Sequence, residues 1–102
     1  MEPTIRQAGI DDLDILIAWR MEVLREVFGI PSELDIRELE QANRSYYQTM
    51  LKNEGHIACF ACQEEIIGCG GMCIYQEMPS PDNPTGMCAY LMNIFTLPQF
   101  RG

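Results

Sequence analysis

Positive charge is scarce in this 102-residue chain: seven Lys and Arg stand against fifteen Asp and Glu, a net charge of -8. So acidic a balance disfavours the phosphate attraction on which nucleic-acid binding rests, so no nucleic-acid partner is expected. A cationic or amine-bearing partner suits the field better. Long hydrophobic runs are missing too, and none approaches the ~20 residues that a membrane-spanning helix needs, so no membrane partner is expected. The opening "MEPTIRQAGIDD" lacks the basic flank and apolar core of a secretory signal. Five cysteines, Cys59, Cys62, Cys69, Cys73 and Cys88, leave one over in any all-disulfide scheme. Reduced thiols and a cytoplasmic location are the expectation. There is no internal repeat and no low-complexity tract; the one proline-rich stretch is "EMPSPDNPTG", Glu77 to Gly86.

What is present fits one folded domain, 1-102, with 47% apolar residues and a modest core. "TIRQA" reads as a short strand. Asp11 or Asp12 then caps a helix whose stripe is Leu13, Leu16, Ile17, Arg20, Val23, Leu24, Val27 and Phe28. Gly29 and Pro31 end it. A second helix runs from about Asp35 to Asn53, with Ile36, Leu39, Tyr46, Met50 and Leu51 on its apolar face and Gly55 as its stop. "HIACFACQ", "IIGCGGMCIYQ" and "GMCAYLMNIFTL" are three runs of strand length, read as a meander. The expected class is therefore α+β, in the order β-α-α-β-β-β, with a largely antiparallel sheet flanked by two helices. These strands are apolar at nearly every position, which predicts cover on both faces of the sheet. Two helices are too few for that, so another chain or a further part of the fold is expected to supply the rest.

Candidate chemistry is thin. His56, Cys59, Cys62, Cys69 and Cys73 have spacings that resemble zinc ligation, but strand residues three apart point to opposite faces, and Phe60 and Ala61 do not suit a knuckle. No metal is expected, and the cysteines read as small core residues. His56 opens the same strand as Cys59 and no separate base is evident, which argues against a thiol nucleophile. The glycines of "GCGGM" lie inside a strand with no helix start behind them, so a bulge or close packing explains them better than a phosphate cradle.

The closing "NIFTLPQFRG" carries the most information. Pro98, Phe100, Arg101 and Gly102 resemble the lead-in to the coenzyme loop of the GNAT superfamily of N-acetyltransferases, and the element order resembles that fold from its first strand onward. The resemblance implies acetyl-CoA as co-substrate and a primary amine, on a small molecule or a peptide, as acceptor. It implies that the main chains of Ile94, Phe95 and Thr96 pair with the pantetheine arm like an added strand. Arg101 and Gly102 would open the pyrophosphate loop, or Gln99 would if the register starts there. Asn93 would face the acetyl site or sit as a satisfied polar residue at a strand end. Tyr75, with Glu77, would approach the amine or lie on the surface, and Phe28 would border the substrate groove or join the core. No residue is assigned as general base or acid. The match covers the N-terminal two-thirds of such an enzyme and stops inside the loop, so this portion alone is not expected to be fully active. The alternative is a non-catalytic fragment that forms homodimers by pairing or exchanging its fourth strand.

Overall fold

The computed structural model describes residues 2–101. Strand β1 (Thr4–Ala8) passes through a short 3-10 turn into helix α1 (Leu13–Phe28), followed by helix α2 (Arg37–Lys52). Three strands complete the chain, β2 (His56–Cys62), β3 (Ile66–Gln76) and β4 (Met87–Thr96), and a 3-10 turn at Pro98–Phe100 follows. The sheet has the order β1-β2-β3-β4, with every neighbouring pair antiparallel. The expected α+β class, element order and meander all appear. No helix is long and apolar enough to cross a membrane among the described residues.

Helix ends follow local chemistry. Asp12 precedes α1 but makes no capping bond to it; its carboxylate instead accepts the Gly9 N–H at 2.9 Å and pairs with Arg6 at 3.3 Å. The Gly9 bond is the main cause of its lowered pKa. Gly29 closes α1 in the left-handed conformation, φ 62°. At the start of α2 the Asp35 carboxylate accepts the Arg37 N–H at 3.0 Å. At its end the left-handed position falls on Glu54, φ 63°, one residue before the expected stop at Gly55, whose N–H bonds back to the Met50 carbonyl at 2.9 Å.

Both helices lie on one face of the sheet. Leu16, Ile17, Met21 and Leu24 of α1 and Tyr47 of α2 bury Ala8, Ala58 and Phe60 from the strands. Trp19 stands between the rings of Phe60 and Phe95, with centroids 6.4 and 6.2 Å away. The opposite face, expected to be covered, carries no element among the described residues: Ile5, Leu91 and Ile94 stand 71%, 67% and 66% exposed. Phe28 is not in the core either. It ends α1 at 71% exposure, and Val27, also of the expected stripe, stands 67% exposed, so the packed stripe stops at Leu24. On α2 the deepest residue is Tyr47, which the expected apolar face omitted, whereas Leu39 is exposed.

Candidate functional site

The ladder between β3 and β4 is regular except at one place. Cys69 pairs with Phe95 and Gly71 with Met92, so Asn93 and Ile94 together oppose Gly70. This is a β-bulge, and Asn93 takes the left-handed conformation, φ 58°, that asparagine tolerates better than most side chains. Past the bulge the Leu97 N–H bonds to the Ile67 carbonyl at 2.9 Å, so Phe95, two residues earlier, also turns its main chain toward β3. Alternation then leaves the main chains of Ile94 and Thr96 facing the free edge of the sheet, since β4 has no outer neighbour among the described residues. Of the three expected coenzyme residues, two present their backbone outward and Phe95 turns its own inward.

Arg101 folds against that strand end. Its Nε donates to the Thr96 carbonyl at 2.7 Å, its guanidinium lies 5.0 Å over the Phe95 ring, and Nη2 reaches Glu26 at 3.3 Å. Gly102 lies outside the described residues.

Behind the bulge, on the helix side, is a cavity of about 180 Å³. Arg20 enters it from the inner stripe of α1, donating from Nε to the Asn43 side-chain oxygen at 3.0 Å and from Nη1 to that of Asn93 at 3.1 Å. Asn43 is held by its own donation to the Leu39 carbonyl at 2.9 Å, which aims its oxygen at Arg20. Asn93 also contacts the Tyr47 hydroxyl at 3.5 Å. Tyr46, Tyr47 and His56 pack edge to face, with centroids 5.3 to 5.9 Å apart. The Tyr46 hydroxyl shares a 2.8 Å hydrogen bond with His56 Nδ1, while the buried His56 Nε2 has no partner. Cys73 and Met92 complete the wall.

Burial sets the proton affinities here. It pushes both tyrosine phenols up to about 12, with a lesser push on Tyr46 from Cys73. Burial, then the Arg20 charge, lowers the His56 pKa, which keeps the imidazole neutral at physiological pH. Cys69 donates to the Asn93 carbonyl at 3.3 Å, and burial raises its thiol to about 11, far from an activated nucleophile.

Of the three expected substrate residues, only Asn93 lines this cavity. Tyr75 sits toward the far end of β3 opposite Cys88, with Glu77 raising its phenol, and Phe28 lies at the outer end of α1. Larger clefts of about 710 and 720 Å³ open beside Gln7, Lys52 and Ile74 and along the start of α2, but neither touches β4. The bulge cavity does meet the open strand, at Met92 and Asn93, and is the candidate site. Sequence spacing does not mark Arg20, Asn43, Tyr46 or Tyr47 as site residues, and it raises His56 only as a metal ligand or a base for a thiol. One signal was available: Arg20 is a charged residue inside an otherwise apolar helical stripe.

No family model matches the chain, and no curated protein does. Solved structures do. A predicted acetyltransferase with acetyl-CoA from Clostridium acetobutylicum superimposes with a TM-score of 0.82 at 25% identity, over 98% of this chain and 63% of its own. A GCN5-related N-acetyltransferase from Ralstonia eutropha gives 0.76 at 19% identity, over 97% of this chain and 65% of its own. An aminoglycoside acetyltransferase from an uncultured soil metagenomic sample, in complex with sisomicin, gives 0.67 at 16%, over 97% and 59%. The fold is that of the N-terminal part of the GNAT acetyltransferases, and the chain spans less than two-thirds of the neighbours' length.

Proposed function

We propose that this chain forms the acceptor pocket and coenzyme strand of a GNAT-type N-acetyltransferase, which moves acetyl from acetyl-CoA to a primary amine. The observation that carries the reading is the bulged edge of β4: the main chains of Ile94 and Thr96 face outward beside a cavity that Asn93 joins to α1 and α2. An extended pantetheine arm would pair with that edge as a further strand. Phe95 contributes through its ring, buried against Trp19, which fixes the strand.

In the transfer, the amine nitrogen attacks the thioester carbonyl carbon, the C–S bond breaks, and the thiolate leaves and takes up a proton as the nitrogen loses one. Alignment of the two reactants and a main-chain N–H toward the carbonyl oxygen supply the protein's share. Arg101 would start the pyrophosphate loop, with Gly102 as its next residue. Calorimetric titration of acetyl-CoA, followed by mass spectrometry of a panel of amines, tests the reading. Weak saturable binding is expected, because the chain spans only 63% of its acetyl-CoA-bound neighbour. Absence of any binding, with no acetylated amine, overturns it.

A second reading rests on the same edge. Tyr90, Leu91 and Ile94 are exposed on a strand whose outer edge has no neighbour among the described residues, which favours pairing of two copies as a non-catalytic module.

A further inference from the structure

Among the described residues the Arg20 guanidinium has no carboxylate partner. In a chain with fifteen acidic residues the four ion pairs among the described residues fall to Arg6, Arg37, Arg44 and Arg101, and Arg25 bonds to the Pro31 and Leu34 carbonyls. Arg20 is half-buried, yet among the described residues its hydrogen bonds go only to the neutral amides of Asn43 and Asn93, from Nε and Nη1. No Asp or Glu lines the cavity it enters. A charge taken partly out of water is ordinarily compensated. Here two asparagines from different elements hold the guanidinium in place without neutralising it.

A second, independent observation points the same way. His56 is 4% exposed, forms part of the cavity wall, and leaves Nε2 without a partner. The cavity wall thus combines a guanidinium with no acid beside it and an imidazole whose buried Nε2 is unpartnered, set among mostly apolar surface, a combination typical of ligand pockets. Its volume of about 180 Å³ lies below the ~300 Å³ at which drug-sized pockets begin.

We propose that this cavity receives a small acceptor amine by a carboxylate that the acceptor itself carries, with Arg20 as the residue that binds it. The inference rests on the acetyltransfer reading for the word acceptor, though the anion site stands on the cavity's own geometry. A planar guanidinium held at Nε and Nη1 presents its remaining donors as a fork that matches a carboxylate. A polyamine or a cationic sugar would bring its positive charge against Arg20 with no acid to offset it. The overall acidity of the chain is therefore misleading at the one place where the acceptor docks.

The test compares L-leucine, 4-methylpentanoate and isoamylamine, which share a branched tail and differ in carboxylate and amine. Binding to the 102-residue chain is followed by the NMR signal of Arg20 Nε–H. Both carboxylates are expected to shift that signal saturably, and leucine to bind at least about tenfold tighter than isoamylamine. Arg20→Gln is expected to bring the two within about twofold, and Arg20→Lys to retain part of the preference. Unaltered amide spectra confirm that each variant folds; for one that does not, the wild-type ranking alone decides. Equal or tighter binding of isoamylamine overturns the proposal, as does a carboxylate preference that survives Arg20→Gln, or no saturable carboxylate binding at all. Acetylation of leucine and isoamylamine at equal rates removes the carboxylate site and leaves acetyltransfer standing. Selective carboxylate binding without any acetyl-CoA binding keeps the anion site and removes the acceptor role.

Discussion

His56 is the chain's single histidine, and its surroundings make it a clean reporter. Burial and then the Arg20 charge lower its pKa, so the folded state holds fewer protons than the unfolded one below the ordinary histidine value of about 6.5. Stability is therefore full above that value and is lost as pH falls through it toward the lowered folded pKa, by at most about 1.4 kcal/mol per pH unit. Tyr46, Tyr47, Arg20 and Cys73 face the ring; both phenols titrate near 12, far above this window. Urea midpoints measured at about pH 7.5 and about pH 5.5 should drop for the wild type and stay nearly level for His56→Gln. Gly71 tests the same contact from below. A Cβ there would sit 2.8 Å from His56 Nε2 and 3.0 Å from Cε1, beneath a ring already fixed by Tyr46. Gly71→Ala should cost about 1–3 kcal/mol in urea unfolding, since the ring must shift and strain its bond to Tyr46.

At the scale of elements, the bulge and the helix ends each hinge on one left-handed residue. Asn93 serves two ends: its backbone makes the bulge and its side chain holds Arg20. Asn93→Gly and Asn93→Ala both lose the Arg20 bond, but only alanine meets the left-handed penalty, so alanine should be less stable by about 1 kcal/mol in urea unfolding. Glu54 pays that penalty already at the end of α2. Glu54→Gly should therefore raise the urea midpoint, by about 0.5–1 kcal/mol in stability. These positions also mark where the sequence was readable. Strands β2, β3 and β4, the α1 stripe as far as Leu24 and the Gly29 stop all come from patterns that a few neighbouring residues set. The left-handed Glu54 did not, because Gly55 beside it is the better former and the tertiary packing overrode it. The bulge was hidden for a similar reason: "YLMNIFTL" reads as an unbroken strand, and only the pairing with β3 shows that Asn93 and Ile94 share one opposite residue. The cavity was least legible. Arg20, Asn43, Tyr46 and His56 come from three elements, and no spacing along the chain joins them.

The molecule as a whole is a sheet with one dressed face. Its strands are apolar on both sides, as the sequence pattern indicated, yet α1 and α2 bury the same side and leave Ile5, Leu91 and Ile94 exposed on the other. Exposed apolar surface next to an unpaired strand edge is the arrangement that drives chains together. Leu91 and Ile94 both belong to that edge strand, and both face away from the helices, Leu91 opposite Met72 and Ile94 over Gly70. The 102-residue chain should accordingly show concentration-dependent association in analytical ultracentrifugation. The double variant Leu91→Lys, Ile94→Lys should shift it to monomer, because two like charges on one edge oppose pairing and neither side chain contributes to the helix-side core. Its urea midpoint should move little, about 0.5 kcal/mol or less for exposed positions. Acetyl-CoA then separates the two uses of the edge. If the coenzyme arm pairs with the main chains of Ile94 and Thr96, saturating coenzyme should dissolve the wild-type association without any substitution. Association that persists under saturating coenzyme would place the contact on the bare face, away from the strand edge.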